Sequence, residues 1–166
     1  MRLAVITLTK GGIEIGKRIF KKKEVDLFLP EKFAAGLEDD HVNYFKNPLR
    51  RLVANIFNLY DGLIFIMATG IVVRMIAPYI KDKWTDPAVA VIDEKGNFVI
   101  SLLAGHMGGG NELAREIARI LGAQPVITTA TDVQGKIAFD MIAKSYALKI
   151  EPFANLKSLN LSLIHI

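Results

Sequence analysis

Apolar positions recur along the chain in two rhythms, short continuous or alternating runs and residues spaced three and four apart. Residues 2–8 (RLAVITL) are β-branched and apolar, and Gly11-Gly12 then leads into Ile15, Ile19 and Phe20 on one face, which predicts strand, turn and helix. A second strand is read over 25–30 (VDLFLP), stopped by Pro30, which has no N–H for a sheet ladder. The polar stretch 31–46 reads as a loop. Asn47-Pro48 then supplies an N-cap and a first-turn proline for a helix with Leu49, Leu52, Val53 and Ile56 on its apolar face. Residues 62–67 (GLIFIM) are continuously apolar, as in a strand covered on both faces, and Thr69-Gly70 separates them from a helical face of Ile71, Val72, Met75, Ile76 and Tyr79.

Two apolar runs, 88–93 and 97–103, flank a short polar turn with a glycine and predict a hairpin. Leu113, Ala114, Ile117, Ala118 and Leu121 form one helical stripe closed by Gly122, and a strand over 125–128 (PVIT) runs into TATD. This alternation predicts an α/β fold: a three-layer α/β/α domain over residues 1–135, its mostly parallel sheet containing an antiparallel hairpin strand. Residues 136–166 read as a connecting helix at 139–146 and the start of a truncated middle domain, with the closing LSLIHI unlike a surface terminus.

At 166 residues and 51% hydrophobic, the chain can bury one sizeable core. Its longest apolar runs fall short of the roughly 20 residues of a bilayer helix, so no membrane association is expected. The opening MRLAVITLTKGG lacks the cleavage site of a signal peptide, and a cytoplasmic location is expected. The absence of cysteine excludes disulfides and thiolate metal sites. Five of the cations behind the net charge of +4 fall within residues 17–23, a solvated helix face; without an aromatic ladder or a recognised motif they do not point to nucleic acid.

The candidate chemistry lies in SLLAGHMGGGNELAREIARILG, residues 101–122. Gly105, Gly108, Gly109 and Gly110 would turn the backbone sharply before a helix beginning near Asn111, and first-turn N–H groups with the helix dipole suit an anion. No Lys-Ser/Thr pair follows, so the loop is not a nucleotide P-loop. His106 suits acid–base work, with Glu112 as an alternative base, and a lone histidine makes no metal site. Thr69-Gly70 and Thr129, Thr131 and Asp132 follow two other strands, and Arg74 could bind a carboxylate bidentately. For these loops to meet, residues 81–87 (KDKWTDP), extended over roughly 23 Å, must recross the sheet so that strand 88–92 runs opposite to strand 62–67.

The segments ATGIVVR, DPAV, SLLAGHMGGGNELA and VITTATD, in this order between residues 68 and 132, resemble the amino-terminal domain of the cobalt-precorrin-5A hydrolases, also called cobalamin biosynthesis protein G. The resemblance implies a carbon–carbon bond hydrolase of the anaerobic vitamin B12 route, which opens the δ-lactone of cobalt-precorrin-5A and releases acetaldehyde to give cobalt-precorrin-5B. It implies a corrinoid substrate that brings its own cobalt, with no further cofactor. A homodimer and association with other enzymes of the route stay open. His106 or Glu112 is then the expected base, the N–H groups of residues 108–110 the expected oxyanion cradle, and Thr129, Thr131 and Asp132 the groups positioning water or a peripheral carboxylate. Members commonly continue into a middle segment and a carboxy-terminal domain, so whether this chain is active alone stays open. The rival expectations are a non-catalytic corrinoid- or tetrapyrrole-binding module and a generic anion-binding α/β domain.

Overall fold

The computed structural model describes residues 1–34, 39–46, 48–106 and 108–133. Seven strands form one sheet: β1 (Leu3–Thr7), β2 (Asp26–Pro30), β3 (Val42–Phe45), β4 (Gly62–Ile66), β5 (Ala88–Ile92), β6 (Phe98–Leu103) and β7 (Gln124–Val126). Their spatial order is β3-β2-β1-β4-β5-β6-β7. Every neighbouring pair is parallel except β5 and β6, so β6 and β7 run opposite to the other five.

Helices cover both faces. On one side α1 (Lys10–Phe20) packs against α4 (Gly110–Leu121) over Leu3, Val5, Ile64, Ile66 and Ala90. On the other, α2 (Leu49–Ile56) packs against α3 (Thr69–Ile76) over Ala4, Ile6, Leu63, Phe65 and Val91. Two-sided cover is why β4 and β5 are apolar at every position: all ten residues are buried, and each large side chain there contributes about 1.5–3 kcal/mol. The three-layer, mostly parallel architecture expected from the alternation of elements is therefore present. The predicted helix at 139–146 and the domain boundary near 135 fall outside the described residues, as does the proposed cap Asn47; α2 follows Pro48 without a side-chain cap.

Two expectations fail. Residues 31–46 are not all loop, because VNYF forms the edge strand β3 in register with Leu27 through Pro30. Four residues flanked by polar sequence carry too short a pattern to stand out, and an edge strand is only half-buried.

The second failure matters more. β5 runs parallel to β4, from Gly62 opposite Ala88 to Ile66 opposite Ile92. Residues 81–87 do not recross the sheet, because α3 and the 3-10 turn at Ala77–Tyr79 already do so. Eight helical residues and three 3-10 residues advance roughly 18 Å, matching a five-residue strand of roughly 17 Å. The loop then closes where it must, with the Ala88 N–H donating to the Asp61 carbonyl at 2.9 Å. Hence the glycine loop after β6 leaves the sheet beside the amino ends of β4 and β5, while Thr69, Gly70 and Arg74 stand at the opposite end.

Candidate active site

β6 ends at Leu103, and Ala104 turns the chain in the left-handed region at φ +53°. Such a conformation costs an alanine about 1 kcal/mol or more, and the loop that follows holds it in place. The Gly110 N–H donates to the Ala104 carbonyl at 3.0 Å, the Asn111 N–H to Gly105 at 2.8 Å and the Gly109 N–H to His106 at 3.0 Å. Gly109, at φ +83°, is the N-cap of α4, and a Cβ on Gly110 would lie 2.5 Å from the Leu103 carbonyl. The glycines thus let the loop fold onto its own strand. Their N–H groups at 109 and 110 are consumed by that fold, so the expected oxyanion or phosphate cradle is closed there.

The loop presents His106 to a carboxylate from the last described element, α5 (Ala130–Val133). His106 Nε2 lies 2.6 Å from Asp132 Oδ2. The same oxygen accepts from the Thr129 hydroxyl at 2.7 Å and the Asn111 amide at 3.0 Å, while the other accepts from the Arg115 guanidinium. Asn111, buried, also donates to Thr129 Oγ1 at 2.9 Å and accepts from the Ser101 hydroxyl at 2.7 Å. Burial pushes the Asp132 carboxyl up, but the donors Thr129, Arg115 and His106 outweigh it and bring it down to about 2. Asp132 is therefore a fixed anion at neutral pH, not a proton carrier. Being acceptor-only, it places the His106 proton on Nε2 and leaves Nδ1 as the basic nitrogen of the neutral ring.

Several expected residues lie elsewhere. Arg74 is exposed and curls back to the Gly70 carbonyl at 3.0 Å, on the far end of the sheet with Thr69. Glu112 is mostly exposed and lies 3.6 Å from Arg115, outside the contacts around Asp132. Thr131 lies within α5, and its side chain is outside the described residues. Gly108 packs its backbone against Ala104.

The family described as cobalamin synthesis G N-terminal matches residues 51–132. A cobalt-precorrin-5A hydrolase from Priestia megaterium is 46% identical over 98% of this chain and 44% of its own length. One from Salmonella typhimurium is 46% identical over 85% of this chain and 39% of its own length. The chain belongs to this family. It spans about two fifths of the length of these curated relatives. A solved structure of a cobalamin biosynthesis protein G homolog from Sulfolobus solfataricus aligns over 99% of this chain and 46% of that one, with a TM-score of 0.57 and 28% identity.

The part matched to the cobalamin synthesis G N-terminal family ends on Asp132, so it contains every member of the network around that carboxylate. Two of these members, Arg115 and Ser101, escape a reading of the sequence. Arg115 had a signal: it stands four residues after Asn111 and so on the same helical face. Ser101 had none, because its role depends on which side of β6 meets α4. Among the described residues no group of three or more histidine, aspartate or glutamate side chains is arranged to hold a metal ion, and no helix is long and apolar enough to cross a membrane.

Proposed function

We propose that this chain is the amino-terminal portion of a cytoplasmic hydrolase of anaerobic cobalamin biosynthesis, acting on the δ-lactone of cobalt-precorrin-5A and releasing acetaldehyde. The observation that carries this reading is the His106–Asp132 pair, braced by Asn111, Thr129 and Arg115, in a chain 46% identical to proteins named for that activity. Lactone opening needs a base for water, and a histidine oriented by an ionised carboxylate is suited to it.

His106 Nδ1 takes a proton from water as the oxygen adds to the lactone carbonyl, and Asp132 stabilises the imidazolium that results. The imidazolium returns the proton to the departing ring oxygen, giving a free alcohol and a carboxylic acid that releases its proton to water. His106 Nδ1, neutral again, takes the alcohol proton as the adjacent carbon–carbon bond cleaves. Acetaldehyde leaves, and the electron pair passes into the cobalt-bearing macrocycle of the substrate, whose carbon is protonated. With the N–H groups of Gly109 and Gly110 engaged, the positive end of α4 supplies local stabilisation for the oxyanion.

The test is acetaldehyde release from cobalt-precorrin-5A by the 166-residue chain and by a version extended to the length of its relatives. Release by the extended protein, lost in its His106→Ala variant, is the expected result; undiminished release by that variant would remove His106 from the mechanism. A second reading, a module that holds the corrinoid without cleaving it, is favoured by the internally satisfied glycine loop. It predicts corrinoid binding with no acetaldehyde at either length.

A further inference from the structure

Three connections meet beside the glycine loop: the turn from α2 to β4, residues 81–87 before β5, and Gly108 itself. Together they line a cavity of about 660 Å³, the size of a small-molecule site. Two large apolar side chains that line it are exposed, Leu59 at 61% and Trp84 at 38%.

The segment that carries Trp84 is braced. The Asp82 carboxylate accepts from the Trp84 N–H at 2.8 Å, the Thr85 N–H at 3.2 Å and the Thr85 hydroxyl at 2.8 Å. Asp86, buried, accepts from the Lys81 N–H with both oxygens at 3.0 and 3.1 Å. Lys83 lies 4.6 Å over the indole ring. Two of the cavity's anions are also engaged, Asp86 as described and Asp61 by the Arg2 N–H at 2.6 Å. With Lys83 over its ring, the partly exposed indole sits on a braced loop that has little left to order on binding.

We propose that Trp84, with Leu59 on the same rim and Lys83 beside it, docks the ring face of a corrinoid so that its carboxylate-bearing rim reaches the loop of His106. This rests on the functional reading above for the class of ligand. The occupant is specified by a planar, carboxylate-fringed macrocycle suiting an indole, a leucine and lysines together. The cavity also shares Gly108 with the glycine loop.

Trp84 is the only tryptophan in the chain, so its emission is a single-site signal for a bound corrinoid, and the Trp84 and Lys83 variants locate it. The probe is cobyrinic acid, a cobalt corrinoid with free carboxylates and no lactone. The expected result is saturable quenching of Trp84 emission. By calorimetry Trp84→Ala binds at least tenfold more weakly and Lys83→Glu several-fold more weakly, while circular dichroism is unchanged. In the extended protein, Trp84→Ala raises KM about tenfold for cobalt-precorrin-5A and leaves kcat within twofold. Unchanged affinity of folded Trp84→Ala, or quenching that does not saturate, overturns the proposal. The two readings fail separately: binding through Trp84 with no acetaldehyde sinks the hydrolase, and acetaldehyde release with an unaltered KM in Trp84→Ala sinks the docking surface.

Discussion

Two aspartates in this molecule gather nearly the same partners. Asp132 accepts from a histidine, a threonine hydroxyl, an asparagine amide and an arginine. Asp26, the first residue of β2, contacts His41 Nδ1 at 2.8 Å, the Tyr60 hydroxyl at 2.7 Å and Arg2 at 3.4 Å. Asp26 opens β2 while Asp132 lies in the short helix α5, and both carboxyls are held below their usual range by their donors despite partial burial. What separates them is the backbone around them. The Asp132 histidine rides on a loop with Ala104 and Gly109 in left-handed conformations, so strain and folding energy are invested in where His106 points. The Asp26 partners come from the start of β1, from the approach to β3 and from the turn before β4, and they tie three strands together. Arg2 also stacks 4.5 Å over the Tyr60 ring, and Tyr60, pushed up to about 12 by burial and by its bond to Asp26, stays a neutral donor. A His–Asp pair is thus a brace at one place and a candidate for chemistry at the other. The matched family segment contains the second network whole and leaves out Arg2, Asp26 and His41.

The largest contrast is expected in activity. In the extended protein, His106→Ala should lower the rate of acetaldehyde release by about 10²–10⁴-fold, the usual contribution of a positioned acid–base group. His41→Ala should leave it within twofold. Equal losses from both would erase the distinction, because they would place the Asp26 network in the reaction as well.

A smaller effect is expected in stability. The Asp132 carboxyl falls from 3.8 to about 2 on folding, so its contribution is present above pH 3.8 and is lost as pH drops through 3.8 toward 2. At neutral pH it amounts to about 2 kcal/mol, or roughly 4–8 °C in Tm for a domain of this size. Asp132→Asn should therefore lower Tm at pH 7 by that amount and flatten the acid limb of a Tm–pH profile. An acid limb identical to that of the parent would mean that the donors around Asp132 do not favour its charged form.

Next in size is Gly109→Ala. Among the described residues the nearest atom to where a Gly109 Cβ would sit is Met1 Cε at 4.0 Å, so the substitution tests backbone strain rather than a clash with them. At φ +83° it should cost about 1–2 kcal/mol in urea unfolding, and it should reduce acetaldehyde release further by loosening His106. A variant of unchanged stability and rate would show that the glycine loop is no more demanding than the loops around Asp26.

Much of this was legible in the sequence, and the gaps have physical causes. The buried strands β4 and β5, the hairpin and the α4 stripe ending at Gly122 carry strong local patterns, and α/β layering follows from them. The edge strand β3 is too short and too exposed to leave one. Strand direction is not a local property: whether 88–92 is parallel to 62–67 depends on α3 being long enough to span the sheet, and that decides that Arg74 cannot share a site with His106. The glycine loop itself was legible, but the destination of its N–H groups was not, because the Ala104 and Gly105 carbonyls that accept them face inward only once the loop closes. Arg115 was readable from its spacing to Asn111, and Asp132 from its place after the last strand.

The smallest expected effect sharpens the comparison from the other side. His41 is raised above 6.5, first by its hydrogen bond to Asp26, so its contribution is full below pH 6.5 and fades as pH rises through the raised value. His41 is more than half exposed, and solvent screening keeps that contribution small. His41→Ala should therefore remove a shallow fall in Tm above pH 6.5 and soften the part of the acid limb that Asp26 contributes, leaving the part set by Asp132 in place. If instead the part of the acid limb that Asp132→Asn removes were already missing in His41→Ala, the two carboxylates would be coupled across the sheet. Brace and candidate site would then be one network, not two.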